Sequence, residues 1–359
     1  MSSPEVISGQ SRHRAAFLSY HRLFAVLKPI LALTVLLLVM AASISMGPAD
    51  IDFSAVWKTL ALNCGLSPDV SDISTIHQRI IWELRLPRVL LAALVGAGLA
   101  VTGAILQSLT LNSLADPYLL GVSSGAGVGA VVVIVAGYLS IPYLLPLGAF
   151  VGAILSFIVV LLLAGRHAGG NASPIILAGV ATTNLFSAVT SLLLMWFASA
   201  NATRGVLFWL LGSLSAARWY EVIICAAVLA VAYIICRWQA NALDSMAFGS
   251  DSAAALGINI AAVRVLLYFV TAALTATLVA FSGAIGFIGL VMPHMARFFV
   301  GHSHHRLLPA SAYIGALFTV AADTVARTAF APQEMPVGVI TALIGVPVFM
   351  AILYRQFRK

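Results

Sequence analysis

The chain has 359 residues, of which 61% are hydrophobic and 9% charged, and a formal net charge of +7. A soluble domain carries about 25% charged residues, so a water-soluble fold is excluded and the polar stretches are the loops of a polytopic membrane protein. The basic residues stand at the ends of apolar runs rather than among aromatics, which excludes a nucleic-acid surface. There is no P-loop, dinucleotide fingerprint or C-x-x-C pair, so the chain shows no nucleotide site of its own.

Residues 1–22 form a polar arm containing Arg12, Arg14 and Arg22. The apolar run 23–46 is longer than the core of a cleavable signal and reads as a retained first span with its N-terminus inside; cleavage near residues 41–43 is the alternative. Residues 47–87, with Pro48, Pro68 and several aspartates, read as an outer loop. Nine further apolar runs follow, at 88–109, 118–138, 142–164, 175–198, 219–236, 261–281, 284–300, 307–329 and 337–354. Each of the ten is near the ~20 residues that a bilayer requires. A short helix around 207–214 is expected in a second outer loop, 201–218.

An even count of spans puts both termini on one side. Arg166, Arg237, Arg264, Arg297, Arg306, Arg355, Arg358 and Lys359 fall on that side with the N-terminal arginines, and the excess of positive charge makes it cytoplasmic. Cys225 and Cys236 share one span and Cys64 stands alone, so no disulfide is expected.

Residues 241–258 are too short and too polar to cross a bilayer, yet they separate two runs that can. They read as two short helices. Leu243, Met246 and Ala247 form an apolar stripe ending at Gly249. Ser250 is the expected N-cap of the second helix and Gly257 its stop. Asp244 and Asp251 are the only charges, whereas a helix lying on anionic lipid carries Lys and Arg. The stretch is therefore expected to be an acidic knob offered to a cytoplasmic protein; an inert connection is the alternative.

Helix contacts within lipid depend on small residues. Gly121, Gly125 and Gly129 recur every four residues, and Gly283, Gly286 and Gly289 every three. Both rows are expected to be helix–helix seams, or else places where backbone lines a pathway. His302, His304 and His305 have metal-ligand spacing without a Cys or carboxylate, so a solvated basic loop is expected there rather than a metal site. Asp323 lies four residues before Arg327, close enough to neutralise it within one helical turn.

Four stretches together resemble the FecCD-type permeases, the membrane subunits of ABC importers for iron–siderophores, haem and cobalamin. They are Leu84-Arg-Leu-Pro-Arg88; Gly103 to Gln107 with Asn112-Ser-Leu-Ala-Asp-Pro117 and Leu120-Gly-Val-Ser-Ser-Gly-Ala126; Gly283-Ala-Ile-Gly-Phe-Ile-Gly-Leu-Val-Met-Pro-His-Met-Ala-Arg297; and Glu334-Met-Pro-Val-Gly-Val-Ile-Thr-Ala-Leu-Ile-Gly-Val-Pro-Val-Phe349. The resemblance runs from about residue 79 to the C-terminus. It implies an all-α fold of the type II ABC importer permease class, with ten transmembrane helices in one permease domain over residues 23–359. It also implies a second permease subunit, most simply as a homodimer, two cytoplasmic ATP-binding subunits, and a periplasmic substrate-binding protein, all at a bacterial inner membrane. ATP and Mg²⁺ would sit on the ATPases, and this chain would bind no cofactor or metal.

The resemblance places coupling helices at residues 241–258, with Leu243, Asp244, Met246, Phe248, Asp251, Leu256 and Gly257 contacting the ATPase. It places Arg85, Arg88 and Arg327 at the outer face, where they would meet carboxylates of the binding protein; snorkelling at span ends is the alternative. It places a cytoplasmic gate at Asn171, Ala172 and Ser173, although Ala172 stands where the cobalamin permease has a threonine. Asn112-Ser113 also departs from the family's usual Asn-Pro.

Two function classes compete. One is a passive permease driven by separate ATPases, importing an iron–siderophore or else haem or cobalamin. The other is a self-sufficient protein, either an ion-coupled secondary transporter or an intramembrane enzyme. The second class needs ionisable relays deep in the spans, whereas the middles of the spans here are aliphatic, glycine or hydroxyl residues.

Overall fold

A computed structural model describes residues 29–47, 51–66, 73–138, 141, 143–165 and 173–358. The N-terminal arm, Arg166, and the gate residues Asn171 and Ala172 lie outside the described residues.

Among the described residues, seven helices are long and apolar enough to cross a membrane, and three shorter apolar helices accompany them. In chain order, with the intervening surface helices, they are α1 (Pro29–Ser45), α2 (Phe53–Asn63), α3 (Thr75–Leu109), α4 (Val122–Val135), α5 (Leu144–Ala164), α6 (Ser173–Phe197), α7 (Ala200–Leu210), α8 (Trp219–Trp238), α9 (Ala240–Met246), α10 (Ser250–Ala255), α11 (Ile260–Ser282), α12 (Ile288–Val300), α13 (His304–Thr328) and α14 (Val337–Phe357). Each expected span coincides with one apolar helix.

The expected loop 47–87 is largely helical. It holds α2 and the first turns of α3, which Ser74 caps by accepting a hydrogen bond from the His77 N–H. The turns over Ile80–Arg85 widen to π-helical spacing just before Pro87. Proline has no N–H to donate and its ring crowds the preceding turn; a wider turn relieves both and lets one helix run through. The helix expected near 207–214 is α7 and ends at Leu210, because Gly212 turns the chain with φ +78°.

Most of α3 and α11 is buried, whereas less than a third of α6, α8 or α14 is. The core is therefore a central pair wrapped by α4, α5, α8, α12 and α13, and α6 and α14 keep apolar faces turned outward.

Backbones touch at glycines. A Cβ on Gly129 would lie 1.9 Å from Gly148 O and one on Gly125 2.3 Å from Gly152 O, so the α4–α5 seam uses glycine on both sides. The same close approach joins Gly96 to Gly315 between α3 and α13, and Gly103 to Gly289 between α3 and α12. Gly121 and Gly283 also approach neighbouring helices closely, a Cβ there falling 2.8 Å from Ser156 Oγ and 2.2 Å from Trp209 O, but both serve as turns as well, and Gly286 departs from the seam. Gly121, with φ +69°, is the turn that starts α4, and Gly283, with φ +66°, ends α11. Gly286 has no neighbour where a side chain would be. Their spacing of three or four residues marks a helix face only inside a helix, and residues 283–287 are not helical.

Candidate functional site

α13 runs from His304 to Arg327 and beyond, and its 25 residues span ~37 Å at 1.5 Å per residue. Candidate residues gather at its two ends, and an irregular segment lies between.

At the His304 end stands the α9–α10 pair. Ala240, Leu243 and Met246 recur every three residues and are buried, rooting α9 against the bundle. Gly249 turns the chain at φ +104° and is itself the N-cap of α10; Ser250 is the first helical residue rather than the cap. Ala253 is buried. Gly257, at φ +81°, stops the helix as expected, with the Ile258 N–H donating to Ala253 O. Phe248 and Leu256 point away from the chain, 83% and 72% exposed, and Asp251 is exposed beside them.

The acidic-knob expectation is corrected at Asp244. Its carboxylate accepts from the His304 N–H at 2.9 Å, from the Ser303 hydroxyl at 3.1 Å and from the His304 ring Nδ1. It thus caps the start of α13, where a helix has unpaired N–H groups and a positive end. Burial raises the carboxyl, but the hydrogen bonds and charge of His304 and the bond from Ser303 outweigh it and hold Asp244 below the usual carboxylate range. The presented surface is apolar, with one carboxylate at its edge.

The histidine loop is corrected as well. His304 is buried, and its Nε2 meets the Ser108 hydroxyl at 2.6 Å, at the far end of α3. His305 Nε2 meets Asn241 Oδ1 at 2.7 Å, and its Nδ1 meets Arg237. Only His302 and Ser303 keep the exposure expected of a solvated loop. Beside them Gln107 ties α3 to α12: its amide donates to Gly289 O and Leu290 O, and Arg297 donates to its carbonyl. Sequence reading missed Gln107 and His304 as fasteners, since each is an ordinary polar residue until its partner across the bundle is known.

At the other end of α13 the three docking arginines are buried, at 3–8% exposure, and face inward. Arg85 donates to Ile44 O at 2.7 Å and to Ser45 O at 2.9 Å. Arg327 donates to Met46 O and to both the carbonyl and hydroxyl of Ser43. The two guanidiniums thus serve the unpaired carbonyls that end α1. Arg88 lies between Asp323 and Glu334, and Asp323 also faces Arg327 Nε at 3.5 Å. This arrangement corrects the outward-facing docking assignment: burying a guanidinium requires partners inside, and here Arg85 and Arg327 find carbonyls and Arg88 finds two carboxylates, while Arg327 Nε has no hydrogen bond and keeps only its ion-pair contact with Asp323. The Asp323–Arg327 pair is present, but Asp323 also serves a second arginine.

Between the ends, residues 283–287 break the helical ladder, with Phe287 at φ +68°. Buried backbone away from water must find other partners. Tyr118 supplies both for Ile285: its hydroxyl donates to Ile285 O at 2.8 Å and accepts from the Ile285 N–H at 2.7 Å. The Ser213 N–H donates to Ser282 O, and the Gly338 N–H to Leu211 O. Ser173 opens α6 and is exposed.

Comparison with known proteins places this geometry. The sequence model of the FecCD transport family matches residues 35–355. The hemin transport system permease protein HmuU of Yersinia pestis is 38% identical over 331 residues, covering 90% of this chain and 94% of that protein. The cobalamin import system permease protein BtuC of Halobacterium salinarum is 41% identical over 280 residues, covering 77% and 73%. A solved structure of a metal-chelate type ABC transporter in an inward-facing conformation is 29% identical and superposes with a TM-score of 0.76, over 90% of this chain and 97% of that one.

Proposed function

The chain belongs to the FecCD transport family and is a membrane permease subunit of an ABC importer with the type II fold, and on that premise we propose that it imports an iron–siderophore complex across a bacterial inner membrane. The complex is handed over by a periplasmic binding protein. Two copies of the chain form the conduit, with both termini cytoplasmic. Two separate ATPases hold the ATP and Mg²⁺ and supply the energy, and this chain binds no cofactor.

The observation that carries the reading is the α9–α10 pair. Its inner face is rooted in the bundle, while Phe248 and Leu256 stand exposed between two spans. Exposed aromatic and aliphatic residues on a rooted knob suit a pocket on a partner. Closing the ATPases would drag this pair and alternate the open mouth. A chelated metal travels inside its carrier, so the conduit needs no metal ligand.

The names of the relatives favour haem or cobalamin as a second cargo reading. Uptake of labelled iron–siderophore, haem and cobalamin in cells lacking only this chain separates the three. Phe248→Asp with Leu256→Asp should abolish co-purification of the ATPases while leaving thermal stability unchanged, because both side chains are already exposed. Full retention of the ATPases would remove the coupling role. Uptake that followed an ion gradient without ATPases would instead establish a secondary transporter.

A further inference from the structure

α3 and α13 run antiparallel and are fastened at three levels. At one end Ser108 meets His304 at 2.6 Å. In the middle the backbones touch, with a Cβ on Gly96 falling 2.2 Å from Gly315 O. At the other end Arg88 grips Asp323, with Nε and Nη2 each 3.0 Å from Oδ1. The ion pair and the glycine contact lie eight residues apart on both helices, and the Ser108–His304 pair closes the far end within one residue of the same register, so the helices form a strut fastened along its length.

The coupling pair is joined to this strut. Asp244 of α9 binds the backbone and ring of His304, and the same ring reaches on to Ser108. His304 is the one described side chain bonded to both α9 and α3. Arg297 of α12 and His305 on its own helix are the other charged or titratable groups whose fields reach the ring. Ser108 has one proton and two acceptors, since its hydroxyl also lies 2.9 Å from Ala104 O. When the imidazole donates from Nδ1 to Asp244, Nε2 accepts the Ser108 proton, and the ring then carries one continuous chain from α9 to α3.

We infer that His304 is a positioning residue for energy coupling, the joint through which displacement of the α9–α10 pair is passed to the α3–α13 strut and so to the Arg88–Asp323 end. This rests on the importer reading above. Packing alone would hold α9 in place through Leu243 and Met246, but apolar contacts slide, whereas two short hydrogen bonds on one rigid ring fix distance and direction.

The test uses the whole transporter, with ATPases and binding protein, in liposomes, and measures solute moved per ATP hydrolysed with iron–ferrichrome, haemin and cyanocobalamin as probes. His304→Asn keeps a donor near Asp244 but cannot reach Ser108, and Ser108→Ala removes the other half of the same link. Each should lower the ratio at least fivefold with the ATPases still co-purifying, and the double variant should be no worse than either single one, since both break one chain. A purely structural role would instead lower thermal stability and leave the ratio of the surviving complex intact. If His304→Asn fails to fold, Ser108→Ala, at an ordinary helix position, carries the test. Ratios within twofold of wild type overturn the inference alone. A wild-type complex that moves none of the probes on ATP overturns the importer reading, and this joint with it.

Discussion

Arg88 on α3 and Asp323 on α13 lie 235 positions apart in sequence and form a two-nitrogen ion pair inside the protein. Glu334 takes the remaining Arg88 nitrogen through both of its oxygens, at 2.9 and 3.1 Å. Asp323 is 1% exposed and faces a second guanidinium, Arg327. Removing its charge takes the one directly paired carboxylate from Arg327 and leaves Arg88 with Glu334 alone. Asp323→Asn should therefore destabilise the protein by about 3–5 kcal/mol. Thermal unfolding in detergent measures it, and added salt should change the loss little because the pair is shielded from solvent.

Tyr118 is the only described side chain that satisfies both backbone groups of Ile285. Tyr118→Phe keeps the ring and removes the hydroxyl. Two buried groups lose their partner, at about 1–3 kcal/mol each. A drop in thermal midpoint, with faster proteolysis around residues 283–287, is the expected result. An unchanged midpoint would mean that water replaces the hydroxyl.

Asp116 caps the turn before Tyr118 by accepting its N–H at 2.9 Å. Burial pushes its carboxyl up from 3.8 to about 6, against the pull of that hydrogen bond. An acid with a raised value holds its proton in the folded state while the unfolded chain has lost it. Stability therefore falls as pH rises from 3.8 to about 6 and is level above. Asp116→Asn keeps the acceptor and removes the ionisation. It should be the more stable form by about 1–2 kcal/mol at neutral pH, full burial being worth ~3 kcal/mol and partial solvation reducing it. The gap should close as pH falls toward 4. A gap independent of pH would show that Asp116 is not the titrating group.

Gly129 and Gly286 offer a paired test of the seams. A Cβ at Gly129 meets backbone at 1.9 Å, whereas nothing lies within 4 Å of one at Gly286. Gly129→Val should cost about 3 kcal/mol or more, or prevent accumulation, because a backbone wall cannot move aside. Gly286→Ala should stay within about 0.5 kcal/mol. Equal effects would contradict the α4–α5 seam.

Much of this protein is legible in one dimension. Ten apolar runs count the spans, since the hydrocarbon core sets their length whatever they pack against. The α9–α10 pair is legible from its polarity, its stripe of Leu243 and Met246, and its stop at Gly257. Four ordered motifs point to the family.

The role of each charge was not legible. Asp244 and Asp251 look alike in sequence, yet one caps α13 and the other faces outward. Arg85, Arg88 and Arg327 sit at span ends, where presentation to a partner and burial inside the bundle predict the same residue type. Gly121 and Gly125 have the same neighbours in the pattern and different jobs. A sequence records local composition and period, and these decide what enters the membrane. Which polar group meets which is decided by partners tens to hundreds of positions away, and only the packed bundle brings them within 3 Å.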